Sequence, residues 1–286
     1  MGEINPAVPL AGVALTAIGV AVIRARESRR PDRLYSDPLA QAFVDAARAG
    51  FPAQRWEYLE ELADQFYEGR TVAVRLVDDR IKEAVAACIT QIVMLGAGLD
   101  TRAFRMDLPD SVTVFEIDLP ELFEFKEPVL AAAEVTPSCR RHVIAADLRS
   151  DWTKPLCDSG FRSHIPTLWV DEGALAYLPP EPRDDVVVAL TDLSAPGSQF
   201  GVSRYAVDAD SSPYAGLRSL VGGQASVDVP DDTIRGVCER LDGLGWDTKF
   251  RSWNDAVTQF DRVVAVADPE VGHVTAVRRN LAERAH

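Results

Sequence analysis

From Gln91 onward the chain repeats one pattern: a short, almost wholly apolar run, a polar or glycine-bearing turn, then a stretch of helical periodicity. The runs are QIVML (91–95), SVTVFEID (111–118), RHVIAAD (141–147), PTLWVDE (166–172) and SQFGVSRY (198–205). Continuous hydrophobicity marks strands buried on both faces, as happens where crossover helices cover both sides of a parallel sheet. The pattern therefore predicts an α/β domain with a mostly parallel sheet. Helices are expected over 180–193, opened by Pro179-Pro180, and over 231–244. DTKFRSW (247–253) and RVVAVAD (262–268) read as two last strands that close one sheet edge, making seven. The segment 207–230, rich in Ser, Gly, Asp and Pro, reads as a lid insertion above the sheet.

The first ninety residues lack this alternation. In 37–49, 55–69 and 70–88 apolar positions recur every three or four residues, so 1–88 is expected to be a helical cap and 89–286 the α/β domain. Val8 to Ile23 is nearly uncharged, but it is shorter than the ~20 residues a bilayer-crossing helix needs, and Glu3 precedes it without any Lys or Arg. A buried helix is the expectation, not a membrane anchor. The balance of 30 Lys plus Arg against 44 Asp plus Glu, a net charge of −14, disfavours nucleic acid as a partner. Four cysteines without a Cys-x-x-Cys pair and only four histidines fit reduced thiols in a cytoplasm and no metal site.

In such a sheet ligands bind at the carboxyl ends of the strands. The first run ends in Gly96-Ala97-Gly98-Leu99-Asp100-Thr101, where glycines let backbone N–H groups approach a ligand, unless this is an ordinary tight turn. The second ends at Asp118, about 20 residues beyond the glycine turn, the spacing at which an acid reaches ribose hydroxyls, though a solvated loop acid is the alternative. At the third, Asp147 can accept from an adenine amine with Leu148 over the ring, or Asp147 can cap the next helix. The fourth ends in Asp171-Glu172-Gly173. Acids at three successive strand ends repel a pyrophosphate, and Thr101 stands where a dinucleotide motif has its third glycine. S-adenosylmethionine, with its ribose, ammonium and sulfonium, suits that edge.

The runs VMLGAGLDTRAFR (93–105), FEIDLPEL, AADLRSDW and WVDEGALAYLPPE, together with LTAIGVAVIRARESRRPDRLYSDPLAQAF near the start, resemble the leucine carboxyl methyltransferase superfamily. Within it they resemble the actinobacterial branch of tetracenomycin-type polyketide O-methyltransferases. The resemblance implies a class I methyltransferase (Rossmann-like) fold, S-adenosylmethionine as methyl donor, and a carboxylate or phenolic hydroxyl of a small molecule as acceptor. It places Gly96 and Gly98 at the methionine end, Asp118 on the ribose, Asp147 and Leu148 on the adenine, and Glu172 near the amino group. For the cofactor carboxylate it offers Arg70, one helical turn before the family's usual position, where this chain has Ala73; Arg75, Arg24 and Arg26 are alternatives.

Methyl transfer from a sulfonium needs alignment and water exclusion, and an ionised carboxylate acceptor needs no base. His142 and His164 lie at the wrong ends of their strands, and His273 is expected after the last one, so no catalytic residue is assigned. Tyr177, Tyr205 and Tyr214 fall near the acceptor edge, and Trp169 reads as core. The runner-up activities are an NAD-dependent oxidoreductase and a non-catalytic S-adenosylmethionine-binding protein. Asp118→Ala is expected to weaken S-adenosylmethionine binding by about 2–3 kcal/mol, measured by calorimetry; unchanged affinity in a folded variant would remove the ribose assignment.

Overall fold

In a computed structural model of the chain, the described residues are 8, 14–204, 234–262 and 272–280. The insertion at 207–230, with Tyr205 and Tyr214, lies outside them.

Three helices come first: α1 (Ala14–Ser28), α2 (Pro38–Gly50) and α3 (Ala53–Ala86). α1 buries Leu15, Ile18, Val22 and Ala25, one stripe at helical spacing, and runs on through the charged RARES segment. Asp37 caps α2, accepting from the Ala40 N–H at 3.2 Å, and Pro38 supplies the preset φ of a first helical residue. The two periodic stretches at 55–69 and 70–88 form one helix of 34 residues. It stays continuous because its two halves are packed in different places. Trp56, Leu59 and Leu62 join the core of α1 and α2, while Val77, Ile81 and Ala84 lie on the sheet against Ile92, Met94, Leu168 and Val170.

The sheet strands are β1 (Gln91–Leu95), β2 (Thr113–Asp118), β3 (Arg140–Ala145), β4 (Thr167–Asp171), β5 (Gln199–Arg204), β6 (Trp246–Ser252) and β7 (Gly272–Arg278). Between them run α4 (Arg102–Arg105), α5 (Pro120–Ala132), α6 (Thr153–Asp158), α7 (Pro180–Asp192), α8 (Ile234–Gly243) and α9 (Trp253–Val257). The order β3-β2-β1-β4-β5-β7-β6, parallel except for β7, is the expected mostly parallel seven-stranded class I methyltransferase arrangement with N-terminal helices. β1 and β4 are buried at every residue, as the continuous runs required. The opposite sheet face carries Val93, Leu95, Phe115, Ile117, Trp169, Phe200 and Trp246.

The C-terminal end holds one strand that the sequence did not suggest. The last described strand is Gly272–Arg278; of RVVAVAD, Arg262 lies outside any strand and the remaining residues lie outside those described. β7 lies between β5 and β6, bonded on both sides, and needs only Val274 and Ala276 to face the core. Its weak hydrophobicity hid it. The helix expected over 231–244 is observed as Ile234–Gly243. No helix among the described residues is long and apolar enough to cross a membrane.

One buried ion cluster fastens α5 and β3 to β2. Lys126 Nζ donates to Glu116 Oε2 at 2.7 Å with both side chains fully buried, and Arg141 Nη2 donates to the same oxygen at 2.7 Å. Lys126→Met leaves Glu116 buried with one cation fewer. It is expected to lower the unfolding free energy by about 3 kcal/mol in urea titration, and a loss below about 1 kcal/mol would mean that Arg141 alone neutralises Glu116.

Candidate functional site

The chain runs outward from β1 to β3 and then returns to β4, so β1 and β4 flank the point where strand order reverses. Strand register sets what meets there. Leu95 pairs with Ile117 on one side and Asp171 on the other, and Asp118 pairs with Ala145. The glycine turn, Asp118, Asp147 and the Asp171-Glu172 pair are thereby brought to one edge.

Gly96 and Gly98 both adopt left-handed backbone, at φ +63° and +53°, which glycine alone takes without strain. Space is equally tight. A Cβ on Gly96 would lie 2.3 Å from Ala174 Cβ, and one on Gly98 would lie 3.4 Å from Ala17 Cβ of α1. The bend after β4 therefore presses on the turn, and the first helix lies in ordinary contact with it.

Asp118 points back at this turn. Its Oδ2 accepts from the Gly98 N–H at 2.6 Å and its Oδ1 from the Leu119 N–H at 2.7 Å. Burial raises its pKa, against the pull of those two amides and of Lys126. Each oxygen keeps a lone pair for a further donor, which suits a pair of hydroxyls. Asp147 is more exposed and closes a local turn, accepting the Arg149 N–H at 2.8 Å and the Arg149 guanidinium, which holds its pKa down. Asp147 does not cap the next helix, α6, which begins at Thr153 after Trp152. Leu148 is 8% exposed and packs in the core beside Ile144 and Trp152.

Beyond β4, Asp171 is buried, and its Oδ1 accepts from the Gly173 and Leu175 amides at 3.3 and 3.1 Å. Glu172 turns the other way. Its Oε1 accepts from Arg102, while Oε2 takes no hydrogen bond from the described residues. Arg70 Nη1 donates to the Glu172 carbonyl at 3.3 Å. The Tyr177 hydroxyl shares a hydrogen bond with Thr16 of α1, and burial raises its pKa against the nearby charge of Arg70.

The competing arginines are committed elsewhere. Arg24 is 4% exposed and donates to Asp37 Oδ2 at 2.7 Å and the Leu99 carbonyl at 2.6 Å. Arg75 Nε donates to both Asp79 carboxylate oxygens at 2.9 Å, and its Nη1 reaches the Leu34 carbonyl at 2.7 Å. Arg26 pairs with Asp64 on the outer side of the cap. Of the four arginines named from sequence, Arg24 bonds to the glycine turn and Arg70 to the Glu172 carbonyl.

Arg102 is the residue that sequence reasoning missed. It was visible inside the LDTR run, yet nothing in the run gives it a role. The structure buries it to 3% exposure, with Nε on Asp78 Oδ1 at 2.7 Å, Nη1 on Asp100 and Glu172, and Nη2 on the Val74 carbonyl at 3.3 Å. Arg105 closes the same cluster from the next turn, bidentate to Asp78 at 2.7 Å. Burial alone would raise Asp100, but Arg102 leads a group of cations that lowers it to about 2. His273 also needs correction. It is the second residue of β7, paired with Ser203 of β5 near the carboxyl end of that strand. Burial, with Arg80 and Arg251 nearby, lowers its pKa to about 4 and keeps the imidazole neutral at pH 7.

Comparison with known proteins adds what geometry alone does not. The family model for leucine carboxyl methyltransferases matches residues 17–191. A relative from Saccharopolyspora erythraea, named for S-adenosyl-L-methionine-dependent methyl transfer, is 43% identical over 203 residues, 69% of each chain. Another so named, from Streptomyces coelicolor, is 35% identical over 284 residues, covering 94% of this chain and 96% of its own. Among solved structures, a Thermobifida fusca chain assigned as a methyltransferase matches with TM-score 0.51 and 20% identity over 94% of this chain and 95% of that one. The CurJ carbon methyltransferase matches with TM-score 0.52 and 13% identity over 93% and 69%. At these identities the structural likeness is one of fold.

Asp171 gives the site a pH signature. Burial raises its carboxyl to about 6, with the amides of Leu175, Gly173 and Ala174 opposing the shift. An acid whose folded pKa exceeds the unfolded one binds its proton more tightly when folded. It therefore costs no stability near pH 4 and its full penalty above about pH 6. Asp171→Asn should accordingly gain on the wild type by up to about 3 kcal/mol as pH rises from 4 to 6, then run parallel to it. Denaturant unfolding at pH 4 to 8 measures this, and parallel curves throughout would contradict the raised carboxyl.

Proposed function

From the premise that the chain belongs to the leucine carboxyl methyltransferase family and is an S-adenosylmethionine-dependent methyltransferase, we propose that it methylates an oxygen, a carboxylate or phenolic hydroxyl, of a small polyketide-like acceptor. The observation that carries the cofactor site is the paired geometry of Asp118 and Glu172 at either side of the glycine turn. One carboxylate is held by amides with lone pairs to spare, and the other has an Oε2 that takes no hydrogen bond from the described residues. Hydroxyls suit the first and an ammonium the second.

When bound, S-adenosylmethionine supplies an electrophilic methyl group on a sulfonium. In the proposed assignment Asp118 binds the ribose hydroxyls, and Gly96 and Gly98 leave room for the chain beyond the ribose. Glu172 binds the amino group and Arg70 the carboxylate. Asp147 and Leu148 stand one strand further on, the expected adenine side; there Asp147 would exchange its exposed Arg149 contact for the adenine amine. The protein's remaining work is to align the acceptor with the methyl group and exclude water.

Two observations bear on the acceptor. The family is named for carboxyl methylation. His273, lowered to about 4, is a weak base, which favours an acceptor already ionised at neutral pH. A carboxylate or acidic phenol meets that condition. The four free cysteines suit a reducing cytoplasm.

A dinucleotide suits the turn poorly. The Arg102 N–H at the start of α4 is already taken by Asp100 Oδ1 at 2.7 Å, which sets a carboxylate where a pyrophosphate would lie. Calorimetric titration with S-adenosylmethionine, S-adenosylhomocysteine and NAD tests the reading. Micromolar binding of the two sulfur ligands and none of NAD is expected, followed by methyl-ester or methyl-ether products in a screen that begins with aromatic polyketide acids. Binding of NAD alone would overturn the cofactor assignment, and tight cofactor binding without any methylated product would favour a non-catalytic protein.

A further inference from the structure

We infer that Arg102 is a positioning residue for Glu172, holding Oε1 so that Oε2 stays turned to the cofactor's ammonium group; this rests on the cofactor reading above. Glu172 follows the end of β4 in an irregular bend, next to Gly173 at φ +117°, so no helix or strand fixes its side chain. Among the described residues the Arg102 guanidinium is the one donor to its carboxylate.

Arg102 is itself immobile. Three further groups hold its planar fork: Asp78 on α3, Asp100 in the glycine turn and the Val74 carbonyl. A rigid cation beside the ammonium position would repel the ligand if it stood alone. Asp78 and Asp100 offset it, and Glu172 is left to attract the ammonium. The arrangement also ties the glycine turn to the bend after β4, so the two walls of the methionine-binding end are set by one side chain.

The test compares two probes. S-adenosylhomocysteine carries the amino-acid group, whereas 5′-methylthioadenosine has the same nucleoside and thioether without it. Arg102→Lys keeps the charge but loses the fork. It is expected to weaken S-adenosylhomocysteine about tenfold or more while 5′-methylthioadenosine stays within about twofold. Glu172→Gln should show the same selective loss, and the double variant should bind no more weakly than Glu172→Gln alone.

Equal loss for both probes in a folded Arg102→Lys, or no loss for either, would overturn the inference by reducing Arg102 to a structural or idle residue. Should Arg102→Lys fail to fold, Asp100→Asn replaces it. That variant keeps the Oδ1 acceptor for the Arg102 amide and replaces the Oδ2 acceptor of Nη1 by an amide donor, removing the charge and the hydrogen bond that share Nη1. It is expected to weaken S-adenosylhomocysteine about threefold or more, again without affecting 5′-methylthioadenosine, and a non-selective change would count against the inference. Failure of the wild type to bind either probe would instead defeat the cofactor reading itself. A selective Glu172→Gln beside a non-selective Arg102→Lys would leave that reading standing and remove only Arg102.

Discussion

Behind the glycine turn lies a sheet of buried charge that the surrounding elements must satisfy together. Arg24 of α1, Asp37 before α2, Asp78 of α3, Asp100 and Thr101 of the turn, and Arg102 and Arg105 of α4 are joined by hydrogen bonds, with Glu172 at the far end. Burying such groups costs several kcal/mol per ion unless every partner is in place, so the cluster adds little net stability but penalises any other arrangement heavily. The observed packing of the cap against the sheet gives each charged group in the cluster an opposite partner, with Arg24 Nε and Arg105 Nε left without a hydrogen bond among the described residues. The positions of α1 and α3 therefore follow from charge as much as from apolar contact.

This explains why a helical cap belongs to the edge of the glycine turn at all. Arg24 grips the Leu99 carbonyl inside the turn, Ala17 lies against Gly98, and Thr16 meets the Tyr177 hydroxyl. The left-handed glycines let the turn pass between α1 and the bend after β4, where a single methyl group on Gly96 would collide with Ala174. On the outer side Glu27, fully buried on α1, accepts from Tyr67, from the Leu34 amide and from Arg262 just beyond α9. The cap is thus fixed to the glycine turn on one side and to the C-terminal half of the chain on the other.

The acidic edge separates two uses of carboxylate. Asp171 is buried with amides as its partners and is raised towards neutrality, a device that orders the bend. Asp118 is also raised by burial but aims at the turn from which a ligand would be met. Sequence alone shows four acids at strand ends and cannot sort them, because the distinction lies in what each carboxylate accepts from.

Much was nonetheless written in the residues. Continuous apolar runs are a local property of strands covered on both faces, so β1, β2 and β4, and hence the parallel sheet, could be read directly, and the LGAGLDTR and FEID runs placed the glycine turn and Asp118 at its edge. β7 could not be read this way, since it buries only alternate residues, Gly272, Val274 and Ala276, and the more hydrophobic 262–268 drew the assignment; His273 was misplaced with it. The continuity of α3 across 53–86 also escaped, because its halves are stabilised by different partners. Above all, the roles of Arg24, Arg70, Arg75 and Arg102 were undecidable from the chain. An arginine's function is set by which groups reach it. Beside near neighbours such as Asp79 for Arg75 and Asp100 for Arg102, these include Asp37, 13 residues from Arg24, and Asp78 and Glu172, 24 and 70 residues from Arg102, brought close only by the fold.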